Sequence, residues 1–117
     1  RVSVDAAIAW LAERYPGHEI KEMPHNNPRF DVRVGPPNLP VLYVEVKGTQ
    51  SASPSFWMSE GERLFSIEES ARYLLIVVAG IDLTGEHAAV IHVRPGAVEG
   101  SDFELAPSQW RGTLLLS

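Results

Sequence analysis

Two charged side chains stand two residues apart in the otherwise apolar segment "VLYVEVKG". A β-strand turns successive side chains to opposite faces. Val44 and Val46 therefore share one apolar face, whereas Glu45 and Lys47 share the other. The pattern predicts a strand that presents an acid and a base side by side, open to solvent, at one edge of a sheet face.

A second carboxylate, Asp31, lies on the preceding segment "RFDVRVG", in which apolar and polar residues alternate. The alternation predicts that Phe30 and Val32 share one face of this strand and that Asp31 lies on the other. The link between the two segments, "PPNLP", is short and favours an antiparallel hairpin. Such a hairpin would bring Asp31 beside Glu45 and Lys47.

This set of residues has the chemistry that phosphodiester hydrolysis needs. Hard cations such as Mg²⁺ prefer carboxylate oxygen ligands, so Asp31 and Glu45 are predicted to bind Mg²⁺ or Mn²⁺, with the carbonyl of Val46 completing the metal shell. Lys47 can position the attacking water or stabilise the charge that develops on the phosphorus centre. Asp31, Glu45 and Lys47 are accordingly the predicted catalytic residues.

Further residues are predicted to contact the substrate. Gln50 follows the charged strand, and Arg29 and Ser59 stand near the two carboxylate segments. Gln50 is equally well read as a plain loop residue. The aromatic pair in "SFWM" includes Trp57, which can stack on a base or pack under a helix. His25 precedes the Asp31 strand and is interpreted as a surface residue that can also approach the site.

Two helices are predicted to position these strands. The first follows a candidate N-cap, Ser3, and ends at a Pro-Gly pair. The second begins with the capping-box pair Ser59 and Glu62. Their predicted apolar stripes are Val4, Ile8, Leu11 and Tyr15 in the first helix, and Leu64, Ile67 and Ala71 in the second.

The remaining strands complete an α/β arrangement. The unbroken apolar run "YLLIVVA" predicts a central strand that is covered on both faces. The segments "HEIKEM" and "AAVIHVR" predict further strands. The tail "FELAPSQWRGTLLLS" is expected either to add a short edge strand or to be the start of a further part of a longer protein. The order of helix, three strands, helix and two strands is typical of a mixed β-sheet flanked by helices.

Length and composition limit the classes of protein. The 117 residues suit a single domain, 1–117. The absence of cysteine excludes a disulfide framework and thiolate chemistry, and no apolar run approaches the ~20 residues that a membrane span needs. Because the chain does not begin with Met, we expect a domain cut from a longer protein, and we expect it to be cytoplasmic.

The charge balance argues against strong binding of nucleic acid through phosphates. The net charge is −5, and residues 51–117 contain nine acidic and four basic residues. Proteins that bind nucleic acid through its phosphates usually have a basic surface. Any function on nucleic acid therefore has to rely on a local site rather than on overall charge.

The motifs resemble a known family. Asp31 followed by Glu45-Val46-Lys47 on the next strand resembles the PD-(D/E)XK nuclease signature. "FDVRV", "YVEVKGT", "FWMSEGE" and "RYLLIVV", in this order, resemble the NO VEIN C-terminal domain family. The resemblance implies a restriction-endonuclease-like fold and a DNA endonuclease activity in bacterial restriction or anti-phage defence. It also implies a helicase or ATPase partner, in the same chain or complex.

Two other interpretations of the sequence remain open. The first is a non-catalytic module on the same fold that recognises nucleic acid or a modified base for a motor partner. The second is a protein–protein interaction domain in which Asp31, Glu45 and Lys47 form a structural ion-pair cluster. The acidic second half of the chain favours the recognition module over a free nuclease.

Overall fold

The computed structural model describes residues 1–27, 29–106 and 110–116, with the backbone alone at 110 and 111. Pro28 lies outside the described residues, and so do residues 107–109 and 117 of the predicted tail segment. The helices are α1 (Val2–Arg14) and α2 (Glu60–Glu68), with short 3₁₀ turns at Ser70–Arg72 and Gly100–Asp102. The strands are β1 (Ile20–Glu22), β2 (Val32–Val34), β3 (Leu42–Gly48), β4 (Ser55–Met58), β5 (Tyr73–Ala79), β6 (Val90–Pro95), β7 (Phe103–Leu105) and β8 (Trp110–Leu114). Over the described ranges, neither helix is long and apolar enough to cross a membrane.

The main sheet has the strand order β1-β2-β3-β5-β6. Strands β3 and β5 are parallel, and α2 lies in the connection between them, whereas the other neighbours are antiparallel. The predicted hairpin is confirmed, with Val32 opposite Val44 and Val34 opposite Leu42. The predicted α/β class with a mixed sheet is therefore confirmed.

Strand β5 is the buried centre of the molecule, and all seven of its residues are buried. Ile76 packs with Val44 and Leu11 in the core on the α1 face of the sheet. Leu75 and Val77 belong to a second core on the other face, together with Phe65 of α2. The prediction of a central strand covered on both faces is confirmed.

Both helices depart from the predicted pattern in detail. Helix α1 begins one residue before Ser3, and Arg1 occupies the N-cap position without a side-chain hydrogen bond. Helix α2 has the predicted capping box, but it buries Phe65 and Ser66. The predicted stripe through Leu64 is wrong, since Leu64 is exposed.

An aromatic cluster explains why Phe65 turns inward. The Phe65 ring stacks on Phe30 with centroids 5.7 Å apart and meets Tyr43 edge-on at 5.2 Å. Phe30 itself contacts Tyr43 at 4.8 Å, on the α2 face. The prediction that Phe30 shares a face with Val32 is wrong, because β2 begins at Val32 and the strict alternation ends there.

The tail forms a second, antiparallel sheet with the order β4-β8-β7. Within its described residues the tail therefore adds two strands. Strand β8 pairs with β4 and β7 pairs with β8, so neither extends an edge of the main sheet. Gly112 of β8 lies opposite Phe56 of β4. A Cβ atom at Gly112 would overlap the Phe56 ring, so the packing of the small sheet depends on this glycine.

We expect Gly112→Ala to destabilise the domain by about 1–3 kcal/mol, the usual cost of overpacking a core. The matched change is Gly61→Ala in α2, where an added Cβ would have its nearest neighbour 3.9 Å away. That variant should be stabilised by about 0.4–1 kcal/mol through the loss of backbone freedom in the unfolded chain. Urea unfolding of the two variants measures both changes in stability. A Gly112→Ala variant as stable as the parent would contradict the close packing of Gly112 against Phe56.

Candidate active site

Asp31 is fixed to β3 at the point where β2 begins. Its backbone amide donates to the carbonyl of Val44 at 2.9 Å. Its side-chain Oδ2 accepts from the amide of Val46 at 2.8 Å. The Asp31 carboxylate thus bonds to β3 just before β2 begins, in place of a backbone hydrogen bond between the strands. This bond holds the carboxylate beside Glu45.

Glu45 is buried, with 1% of its surface exposed. The expectation that it faces solvent is wrong, because α2 and the second core cover this face of the sheet. Burial is the main cause that raises the pKa of Glu45, and together with hydrogen bonds to Asp31 and Glu62 it brings that pKa to about 11. Its Oε2 has no hydrogen-bond partner among the described residues. A protonated Glu45 resolves this, since the proton lets it donate to a neighbouring carboxylate.

Lys47 is paired with a residue that the sequence patterns did not assign to the site. Its Nζ lies 3.3 Å from Oε1 and 3.4 Å from Oε2 of Glu62, and both side chains are about four-fifths buried, at 19% and 21% exposed. Glu62 also accepts from the amide of Ser59 in the capping box, at 2.8 Å. The capping box accounts fully for Glu62 in the sequence, so no signal remained for its second contact.

Whereas the pKa of Glu45 is raised, the pKa of Glu62 is lowered. Burial acts to raise it, but the hydrogen bonds from Glu45 and from the Ser59 amide, together with the charge of Lys47, lower it below the usual value. Neighbouring carboxyl groups whose pKa values are driven apart are a common feature of acid–base sites. The site therefore pairs a protonated Glu45 with an ionised Glu62.

Tyr73 adds a buried hydroxyl to the same region. It lies diagonal to Glu45 on β5, because Tyr73 is opposite Tyr43 and Leu75 is opposite Glu45. Its hydroxyl has no hydrogen-bond partner among the described residues. Burial is the main cause that raises its pKa, and the charge of Glu62 raises it too, so the hydroxyl is neutral. In the sequence, only its position in the buried strand distinguishes Tyr73.

The other predicted substrate contacts are placed around the charged group. Arg29 lies with its guanidinium 5.9 Å from the centre of the Phe65 ring. Ser59 serves as the N-cap of α2 and accepts from the amide of Glu62 at 3.0 Å. Gln50 is exposed and lines a cavity with Arg1 at the start of α1. His25 and Asp31 line another cavity, of about 340 Å³, so Asp31 has an opening of its own.

The donor set fits a cation that retains part of its water shell. In the described ranges there is no group of three His, Cys, Asp or Glu side chains that could hold a metal ion. Mg²⁺, however, is usually bound through one or two carboxylates plus substrate phosphates, and Asp31 and Glu45 supply two. The carbonyl of Val46 lies on the same side of β3 as its amide, which already meets Asp31. Oε2 of Glu45, which has no hydrogen-bond partner among the described residues, is the Glu45 atom that such an ion would meet.

Together, the fold and the site define an α/β domain with a cluster of carboxylates and one lysine along β3, the strand that is parallel to the buried β5. The family model described as "Protein NO VEIN, C-terminal" matches residues 2–93. The chain belongs to that family. Neither a curated protein nor a solved structure matches the chain significantly. Strands β7 and β8 lie outside the matched residues, although β8 pairs with β4 inside them.

Proposed function

We propose that this domain is a metal-dependent phosphodiesterase of the PD-(D/E)XK type that cleaves DNA. The observation that carries the proposal is that the Asp31 carboxylate is bonded to the amide of Val46, on the strand that bears Glu45 and Lys47. Two adjacent carboxylates and a lysine are the groups that metal-assisted phosphoryl hydrolysis requires. Membership of the NO VEIN C-terminal family agrees with it.

Each residue has a separate role in this proposal. Asp31, Glu45 and the carbonyl of Val46 would hold Mg²⁺ or Mn²⁺, which when bound supplies an acidified water and neutralises phosphate charge. Lys47 would leave Glu62 and turn towards the phosphate. Ionised Glu62 would then be available to accept a proton.

A second function is supported by the way Lys47 is held. Its contact with Glu62 and the burial of Glu45 also suit a cluster that has lost catalysis, and the net charge of −5 disfavours tight duplex binding. The domain would then be a non-catalytic module that recognises nucleic acid for a helicase or ATPase partner. Structural ion pairing alone is the third reading. The partner, a defence role and a cytoplasmic location stay predictions.

Cleavage assays with a matched lysine pair test the first proposal. The chain has two lysines, and Lys21 is exposed on β1, away from the site. With Mg²⁺ or Mn²⁺, the parent protein and Lys21→Met should cleave labelled DNA, and Lys47→Met should be slower by about 10²-fold, the usual effect of removing one group that stabilises transition-state charge. Methionine keeps the apolar stem of Lys47.

Thermal melting must accompany the assay, because Lys47→Met leaves Glu62 without its cation. Equal cleavage by the two variants would refute a catalytic role for Lys47. If the parent binds the divalent ion but cleaves neither single-stranded nor duplex DNA, the recognition module replaces the nuclease. If it binds neither ion nor DNA, the structural cluster is the correct reading.

A further inference from the structure

A groove of about 490 Å³ opens beside Lys47, and Asp31 is not among the described residues that line it. It is lined by the loop from Gly48 to Ser53 and by the start of β4. Its volume lies within the ~300–1,000 Å³ that is typical of ligand pockets. The residues that the argument uses are Lys47, Thr49, Ser51, Ser53, Ser55 and Trp57.

The hydroxyl groups of this groove are arranged to donate. Oγ1 of Thr49 accepts from the amide of Ser51, and Oγ of Ser51 accepts from the amide of Ser53, each at 3.1 Å. Since these oxygens accept from backbone, their hydroxyl protons remain available for another acceptor. Oγ of Ser55 is held between Ser53 at 3.3 Å and Thr113 at 2.7 Å. With Lys47 beside them, such donors suit phosphate oxygens rather than a cation.

Trp57 gives the groove an aromatic wall. It lies on β4, is 60% exposed, and is one of the large apolar side chains that the fold leaves at the surface. Its neighbours on the strand, Phe56 and Met58, are buried in the second core, so the indole is held on a fixed strand. An exposed ring on a rigid element provides a stacking surface for an unpaired base.

We propose that this groove binds one nucleotide unit of single-stranded nucleic acid, with the base on Trp57 and the phosphate at the hydroxyls and Lys47. The inference rests on the proposed function, since it names the strand form that the site takes. Among the described residues that line the groove, Lys47 is the one cation, and it supplies little of the phosphate attraction on which duplex binding depends. Stacking needs no net positive charge, and it requires a base that is free of its partner strand.

The test measures binding without catalysis, in a chelator. The probe is a fluorescently labelled single strand of about ten thymidines, within the ~4–16 nucleotides that such sites cover, and the same strand in a duplex. The single strand should bind more tightly. Trp57→Leu, which removes the ring, should weaken it by about tenfold or more, whereas Trp57→Tyr should retain binding. Leu39→Ala, at an apolar residue that is 70% exposed in the β2–β3 turn, should have no effect.

Salt gives a second readout. With Lys47 as the cation in the groove, affinity should fall only about threefold between ~50 and ~200 mM salt, as expected for one phosphate contact on a single strand. The inference would be overturned if the duplex bound as well as the single strand, if neither bound, or if Trp57→Leu bound the single strand as tightly as the parent. Binding that behaves as expected without any cleavage would refute the nuclease proposal alone. Lys47-dependent cleavage with Trp57-independent binding would refute the groove alone.

Discussion

Glu45→Gln should make the metal-free protein more stable than the parent at pH 8, and the advantage should grow from about pH 5 upward. Glu45 is protonated in the fold, because burial and its bonds with Asp31 and Glu62 raise its pKa to about 11. In the unfolded chain a glutamate ionises near pH ~4.3. Between these two values the folded state therefore holds one proton more than the unfolded state.

The sign follows from this difference. The stability that Glu45 contributes is fully present below the unfolded pKa, and it is lost as pH rises towards the folded pKa. The upper limit of the slope is about 1.4 kcal/mol per pH unit, or about 4 kcal/mol between pH ~5 and ~8. Glutamine has the same shape, remains neutral throughout and can still donate to a carboxylate. The expected difference requires only that the folded pKa exceeds the highest pH used.

Urea unfolding in a chelator at several pH values measures both slopes. Histidines and other groups are common to the two proteins, so the difference between the slopes isolates Glu45. Glu104→Gln, at an exposed position on β7, controls for the loss of one carboxylate and should follow the parent. If Glu45→Gln and the parent have parallel pH profiles, Glu45 is already ionised in the fold, and the protonated site described above is incorrect.

Sequence patterns predicted the elements of this fold where one local rule was sufficient. The run "YLLIVVA" contains no polar residue, so only a strand with two covered faces can hold it, and β5 is such a strand. Ser59 and Glu62 define a helix start by spacing alone, and α2 begins there. The hairpin of β2 and β3 likewise followed from alternation and a short turn.

The environment of the site was not predictable in the same way. Alternation assigns Glu45 to a face of β3, but it does not state what covers that face. The cover comes from α2 and from the second core, to which Phe103 and Leu114 of the distant tail strands contribute. Phe65 turns inward, in place of Leu64, because the ring of Phe30, just before β2, and the ring of Tyr43 on β3 meet it. These are tertiary contacts without a local sequence signature.

Glu62 shows the same limit from another direction. When one role already explains why a residue is of its type, the sequence contains no indication of a second role. Its capping contact is local, with Ser59, whereas its contact with Lys47 joins α2 to β3. Of the charged residues that meet at the site, Glu62 was therefore the one that spacing could not assign. Its ionised state also depends on Glu45 carrying a proton.

The proton on Glu45 leads to a second expected result, because a divalent cation bound by Asp31 and Glu45 has to displace it. Ligands of metals bind in their deprotonated form, so affinity depends on pH. Below the folded pKa of Glu45, affinity for Mn²⁺ should rise by about tenfold per pH unit, or about 10²-fold between pH ~6 and ~8. Calorimetry in two buffers of different ionisation enthalpy should record about one proton released per ion.

The controls separate this site from the rest of the surface. Glu45→Gln and Asp31→Asn should lose the ion, whereas Glu104→Gln should retain it with the same pH slope. His25→Asn tests the imidazole that lines the cavity beside Asp31, and its slope should match that of the parent. An ion that still binds to Glu45→Gln lies elsewhere on the protein. If the affinity for Mn²⁺ does not change between pH ~6 and ~8, the cation binds without displacing the proton of Glu45. Glu45 would then connect α2 to the sheet and would not be a metal ligand.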